Sequence, residues 1–271
     1  MKKHYTSIIS NGFGKFASKE FPKPVQNIIN SGYVKLMGLD MSEFKTPSSY
    51  PTLNRLFTRA FEKNRDINID ENIIISPVDA LVTDFGEIVE GKAYQIKGME
   101  YSIDKLFGSY HQEVSRAVEG GEFVNLYLSP KDYHRYHTPD RLKIKLLTHI
   151  AGKLYPVNFP LLRNKPELFI ENERVVIECE DINNNIFVMV LVGALNVGKM
   201  VITFEDNINT NSNMREPQHY KYNDLWLDKG ELFGWFEMGS TILLFSQKDT
   251  IKYNLNINQK VKFAESIGER V

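Results

Sequence analysis

Apolar positions follow two different rhythms along this 271-residue chain. Between about residues 20 and 38, Val25, Ile28, Ile29, Val34 and Met37 recur at helical spacing, broken only by Gly32. That spacing predicts a helix with one apolar side. A second helix is expected from about Thr52 to Lys63. From Ile73 onward short β-rich runs take over: IIIS, ALVTDFGEIV, AYQIKG, FVNLYLS, KIKLLTHIAG, RVVIECE, NIFVMVLV, KMVITFE and STILLFS. Gly, Asn and Asp punctuate them. Glu100 to Leu106 reads as one short helix among these runs. Phe187 to Gly198 is the longest uncharged apolar stretch. It reads as a buried strand, a turn at Gly193 and a second short strand. Helices first and strands afterwards predict an α+β fold: a mainly β, barrel-sandwich-like domain with N-terminal helices. The division expected is a helical region over 1–63 and a β-rich catalytic domain over 64–271.

Composition narrows the class. Hydrophobic residues make up 42% and charged residues 25%, which suits a globular protein with a sizeable core. A net charge of −1 argues against a nucleic-acid surface built on bulk charge. The single cysteine, Cys179, cannot form an internal disulfide. With no convincing secretory signal, it fits a reducing cytoplasmic compartment. No run reaches the roughly 20 apolar residues needed to span a bilayer. The first 38 residues are nevertheless basic, with Lys2, Lys3, Lys15, Lys19, Lys23 and Lys35 against Glu20 alone. Such a stretch can lie on an anionic membrane surface, or its apolar side can pack on the domain.

Three segments carry candidate chemistry: SPVDA (Ser76 to Ala80), SPKDYHRYHTP (Ser129 to Pro139) and EMGSTILLF (Glu237 to Phe245). Together they supply Asp79, His134, His137 and Ser240, the parts of a base-activated serine. Each is weak alone. Gly-Ser-Thr is a common turn into a strand, and an Asp after Ser-Pro-Val is commonly a turn residue. A helical turn would place His134 and His137 on one face, and a strand would place them on opposite faces. A serine hydrolase using Asp79, His137 and Ser240 fits the residue types. The elbow G-x-S-x-G is absent, because Met238 and Ile242 stand at its glycine positions. A metal site from Asp132, His134 and His137 has no second cluster to complete it, with His4, His111, His149 and His219 scattered, so no metal is expected. GFGKFA (Gly12 to Ala17) is a weak dinucleotide signal, since Pro22 and Pro24 break the following helix early. A non-enzymatic carrier or scaffold domain, with His134 or His137 as group acceptor, is the remaining alternative.

Seven blocks in order carry a resemblance to the phosphatidylserine decarboxylases. They are YPTLNRLFTR (Tyr50 to Arg59), IISPVDALVTDFGEI (Ile74 to Ile88), QIKGMEYSIDKLFG (Gln95 to Gly108), NLYLSPKDYHRYHTP (Asn125 to Pro139), NERVVI (Asn172 to Ile177), LVGALNVGKM (Leu191 to Met200) and KGELFGWFEMGSTILLF (Lys229 to Phe245). The chain departs from the family pattern at Ala80, where Gly is usual, and at Met238, where Leu is frequent. Neither change touches a reacting atom.

The resemblance implies a carboxy-lyase with a mainly β fold that matures by cutting itself between Gly239 and Ser240. The Ser240 hydroxyl attacks the Gly239 carbonyl and the peptide becomes an ester. β-Elimination then breaks the chain, and hydrolysis of the remaining dehydroalanine yields a pyruvoyl group and ammonia. His137 matches the maturation base and Asp79 the carboxylate that orients it. The pyruvoyl cofactor derived from Ser240 takes up the substrate amine and acts as an electron sink when CO₂ leaves. His134 or His137 then returns a proton, and phosphatidylserine becomes phosphatidylethanolamine. The same resemblance implies two pieces, 1–239 and 240–271, held peripherally at the cytoplasmic face of an anionic membrane. It leaves the oligomeric state open, a homodimer included.

Overall fold

The computed structural model describes residues 12, 14–96, 98–195, 199–208, 210–211, 216–237 and 240–271. Met238, Gly239, Lys2 and Lys3 therefore lie outside the described residues, as do 196–198 of the long apolar stretch. The α+β expectation holds, with strand predominant. Six helices are named: α1 (Lys23–Met37), α2 (Leu53–Phe57), α3 (Ile103–Phe107), α4 (Gln112–Ala117), α5 (Phe159–Asn164) and α6 (Leu168–Glu171). Sixteen strands follow or interleave them. They are β1 (Ile73–Ile75), β2 (Ala80–Glu87), β3 (Lys92–Ile96), β4 (Met99–Ser102), β5 (Glu122–Leu128), β6 (Arg135–His137), β7 (Leu142–Ile150) and β8 (Arg174–Glu180). The second half holds β9 (Ile186–Gly193), β10 (Met200–Ile202), β11 (Gln218–Leu227), β12 (Leu232–Phe236), β13 (Ser240–Ser246), β14 (Ile251–Tyr253), β15 (Lys260–Val261) and β16 (Ser266–Arg270).

An eight-stranded antiparallel sheet organises the molecule, in the order β11-β7-β8-β9-β13-β5-β2-β15. Smaller sheets β10-β12-β6, β1-β16-β14 and β3-β4 surround it. The near-continuous apolar runs become the central strands, because both their faces are covered. Every residue of β13 is buried, and β13 pairs with β9 on one side and β5 on the other. Truncating Leu243 or Leu244 to alanine there costs about 2–5 kcal/mol, since each is wholly buried. Gly234 in β12 lets two strands meet: a Cβ there would lie 2.0 Å from the Val201 carbonyl oxygen.

Three boundaries differ from the periodicity reading. The second helix stops at Phe57, well short of Lys63. Thr52 caps its start by accepting a hydrogen bond from Arg55 N (3.1 Å), and Thr58 turns its hydroxyl back onto Asn54 O (2.9 Å). Beyond it Arg59 reaches the Lys131 carbonyl and Phe61 bridges to Phe44, contacts a continuing helix would forbid. Met99 to Ser102 is strand, and the helix begins only at Ile103, after Ser102 caps Lys105 N (3.3 Å). Gly193 is the last residue of β9, not a turn, and the next strand starts at Met200.

Helix α1 divides its apolar residues, with Ile29 and Val34 packed against the cluster that holds Leu39, Leu53 and Phe57. Its buried residues are Gln26, Asn30 and Tyr33. Asn30 donates to the carbonyls of Pro47 and Tyr50 at 2.9 Å each, and Gln26 donates to Asn30. The apolar Val25, Ile28 and Leu36 point outward, Ile28 being 74% and Leu36 80% exposed. The bond network of Asn30 sets this rotation, because a buried amide must keep its partners. No described helix is long and apolar enough to cross a membrane.

Candidate active site

Ser240 opens β13 at the centre of the large sheet, opposite Gly193 on one side and Leu128 on the other. Its hydroxyl is buried and has no hydrogen-bond partner among the described residues. The hydroxyls of Thr83, Thr241 and Tyr253 share that state, so it is the Gly-Ser sequence at the head of β13 that singles Ser240 out. The strand that leads into it, β12, runs antiparallel to β6, which ends at His137. Phe236 N donates to the His134 carbonyl at 2.9 Å, only four residues before Ser240.

The histidine segment forms no helical turn: His134 lies just before β6 and His137 ends it, and the two rings have separate surroundings. His134 is wholly buried, with Phe57 of α2 packed on its ring at 4.0 Å. Its Nδ1–H donates to the Asp132 carbonyl at 2.8 Å, which leaves Nε2 as an acceptor with no partner. Burial pushes its pKa down to about 3, so it is neutral at pH 7. His137 is the last residue of β6, opposite Leu232. Its Nδ1–H donates to the Gly230 carbonyl (2.9 Å), and its Nε2 accepts from the Tyr133 hydroxyl (2.9 Å). Phe263 stacks on the ring at 3.8 Å. Burial lowers its pKa to about 4.

Asp79 is held by a different group. Arg65 grips both its oxygens, at 2.5 and 3.1 Å, and the Phe263 N–H donates to Oδ1 at 2.7 Å. The same guanidinium binds both oxygens of Glu43, at 2.8 and 2.7 Å. Asp79 and His137 thus share a neighbour, Phe263, whose backbone holds the carboxylate while its ring covers the imidazole. The described contacts hold no hydrogen bond between Asp79 and His137. Asp132 accepts from Ser129 N and Oγ at 2.7 Å each, and burial raises its pKa. Among the described residues no cluster of His, Cys, Asp and Glu could hold a metal.

The motif reading found four of these side chains and missed the ones that hold them. Tyr133 stood inside the quoted histidine segment, but its spacing gave no sign of a bond to His137. Arg65 lies 14 residues before Asp79 and Phe263 lies 184 residues after it, so only the fold joins them.

Comparison with known proteins places the chain. The phosphatidylserine decarboxylase family profile matches residues 53–269. A protein of Helicobacter pylori named phosphatidylserine decarboxylase proenzyme is 44% identical over 266 residues, 97% of each chain. One of the same name from Campylobacter jejuni is 41% identical over 261 residues, 95% of this chain and 96% of its own. A third, from Marinobacter nauticus, is 33% identical over 267 residues, 96% of this chain and 93% of its own. On the profile match and these near-full-length identities, the chain belongs to the phosphatidylserine decarboxylase family.

Proposed function

We propose that this chain is a proenzyme that cuts itself between Gly239 and Ser240 and then decarboxylates phosphatidylserine to phosphatidylethanolamine. The observation that carries the reading is Ser240: a buried, unpartnered hydroxyl heading the central strand, in a chain of this family. A pyruvoyl group made from Ser240 supplies the electron sink for loss of CO₂. The orphaned hydroxyl position fits that group, since it needs no competing donor removed. Ser240 is the nucleophile, and neighbouring side chains move its proton and fix its backbone.

His137 and Asp79 are the first candidates for proton acceptor and orienting carboxylate. That assignment requires both to exchange partners, because Tyr133 occupies His137 Nε2 and Arg65 occupies Asp79. A second reading rests on His134, whose Nε2 has no partner among the described residues and whose carbonyl accepts from Phe236 N of β12, four residues before Ser240. The two separate by substitution: the histidine whose replacement by alanine stops cutting is the base, while loss of turnover alone marks the other.

The N-terminal region, 1–63, is proposed as the membrane-associating part, with 64–271 as the catalytic domain. Support comes from the outward Val25, Ile28 and Leu36 of α1 alongside Lys23 and Lys35. Apolar and basic residues on one exposed helix suit the surface of an anionic bilayer, on its cytoplasmic face. The deciding experiment is denaturing intact-mass measurement. Self-cutting yields pieces of 239 and 32 residues (271 − 239 = 32), the smaller blocked at its N-terminus, and Ser240→Ala yields one uncut chain. A single 271-residue mass from decarboxylating protein overturns the reading.

A further inference from the structure

Between α1 and the histidine segment, α2 and its flanking loops form a cleft of about 580 Å³. Four cationic side chains line it, Lys45, Arg55, Arg59 and Arg135, against one acid, Glu62. None of the four makes an ion pair among the described residues, so the cleft keeps an excess of three positive charges (4 − 1 = 3). Lys45 and Arg55 are exposed, whereas Arg59 is only 2% exposed. One Arg59 nitrogen, Nη2, donates to the Lys131 carbonyl at 2.9 Å, and the guanidinium lies 4.5 Å above the Phe44 ring. Its Nε and Nη1 have no acceptor. A buried guanidinium with two unanswered donors is costly to fold, and burial lowers its pKa. Arg135 donates Nε to the Thr58 carbonyl at 2.9 Å, which fixes it beside Arg59.

A multiply oxygenated anion would answer these donors and the surplus charge together. A phosphate diester suits the cleft, because its tetrahedrally arranged oxygens, two of them sharing the negative charge, can reach cationic side chains on several walls, whereas the two oxygens of a carboxylate lie in one plane. We propose that this cleft binds the phosphodiester group of a phospholipid. The choice of a lipid over free phosphate rests on the lipid-decarboxylase reading and on position. The cleft's Tyr50 is joined to α1 through Asn30, and Val25, Ile28 and Leu36 of that helix face outward. The cleft shares Ala60, Phe61 and Arg135 with the smaller pocket that contains His137.

The test uses the full uncut Ser240→Ala chain, so that binding requires neither cutting nor turnover. Monomeric dihexanoyl phosphatidylserine, glycerophosphoserine and inorganic phosphate are titrated by calorimetry. The lipid binds the parent chain, and Lys45→Gln with Arg55→Gln weakens it about tenfold or more, since charge-assisted contacts are lost. Neither side chain bonds a described residue, so this pair keeps the fold. Arg59→Lys keeps the charge and also weakens binding about tenfold. Lys221→Gln with Lys252→Gln, exposed lysines outside the cleft, leaves binding unchanged. Equal lipid affinity in the parent and the Lys45/Arg55 variant overturns the proposal, whatever Arg59→Lys does. Phosphate binding that the lipid does not displace overturns the assignment to a lipid. The decarboxylase reading fails separately, on the intact masses, and leaves this binding result standing.

Discussion

Acidification should unfold this protein through its two site histidines, and the size of the effect follows from their burial. His134 and His137 have folded pKa values of about 3 and about 4, against about 6.5 for a free imidazole. The unfolded chain therefore takes up protons that the folded chain refuses. Stability is full above pH 6.5 and falls with pH through the window down to about 4 for His137 and about 3 for His134. Between pH 7 and pH 5 each histidine removes about 2 kcal/mol, so the pair removes about 4 kcal/mol. Asp140 works in the opposite sense. Burial raises its pKa to about 6, so the folded state binds a proton more readily and regains about 1 kcal/mol over the same range. Urea unfolding of the uncut Ser240→Ala chain at pH 7 and pH 5 measures the sum. The same measurement on Ser240→Ala with His137→Gln isolates one histidine, because the Asp140 contribution cancels. The parent should lose about 2 kcal/mol more than this variant. Equal losses would refute the claim that His137 is held neutral by burial. The same depression keeps both imidazoles uncharged at pH 7, so self-cutting should show no inflection near pH 6.5.

Two further perturbations test the surroundings of the site. Arg65→Gln releases Asp79 and should cost about 2 kcal/mol in chemical unfolding, because charged hydrogen bonds in a half-buried pair are lost. It should also slow self-cutting on the order of 10- to 100-fold if the placement of Asp79 matters, and unchanged cutting in a time course removes Asp79 from maturation. Ile28→Gln with Leu36→Gln should weaken co-sedimentation with anionic vesicles by about tenfold or more while leaving the melting temperature unchanged, since both side chains are exposed. Unchanged vesicle binding would show that this face of α1 does not enter the membrane surface.

Much of the fold was legible because strand burial writes a simple pattern. STILLFS and FVMVLV have no polar interruption, and β13 and β9 occupy the middle of the sheet. Helix α1 was legible as a helix but not in its rotation. Its apolar spacing, Val25, Ile28, Ile29, Val34 and Met37, left open a membrane surface or packing on the domain; Ile29 and Val34 pack inward beside the buried amides Gln26 and Asn30, while Val25, Ile28 and Met37 stay exposed. The end of α2 was hidden for a related reason. Helical residues continue past Phe57, but Arg59 is needed by a carbonyl 72 residues away. In the candidate site, residue types and order nominated Asp79, His134, His137 and Ser240. Their partners are carbonyls, a tyrosine hydroxyl and an arginine brought together by long-range pairing, which no local spacing encodes.

Under the proposed cut between Gly239 and Ser240, the position of Ser240 would let the two pieces stay together. Residues 240–271 carry β13, β14, β15 and β16. β13 is hydrogen-bonded along its length to β5 and β9, β15 pairs with β2, and β16 pairs with β1. The 32-residue piece is thus tied to the larger one through two sheets and by the core side chains of Ile242, Leu243, Leu244 and Phe245. Breaking one peptide bond at the head of β13 removes none of those pairings. After the proposed cut, β13 would remain clamped between β5 and β9. A nucleophile on a surface loop would be easier to reach, but its cut end would be free to drift from the groups that must act on it next. Placement at the start of a doubly paired central strand confines the freed atoms to one spot. Burial of His134 and His137 keeps their imidazoles neutral at pH 7 and makes each a weaker proton acceptor than a free imidazole, so a base role would need the local surroundings to change as the reaction proceeds.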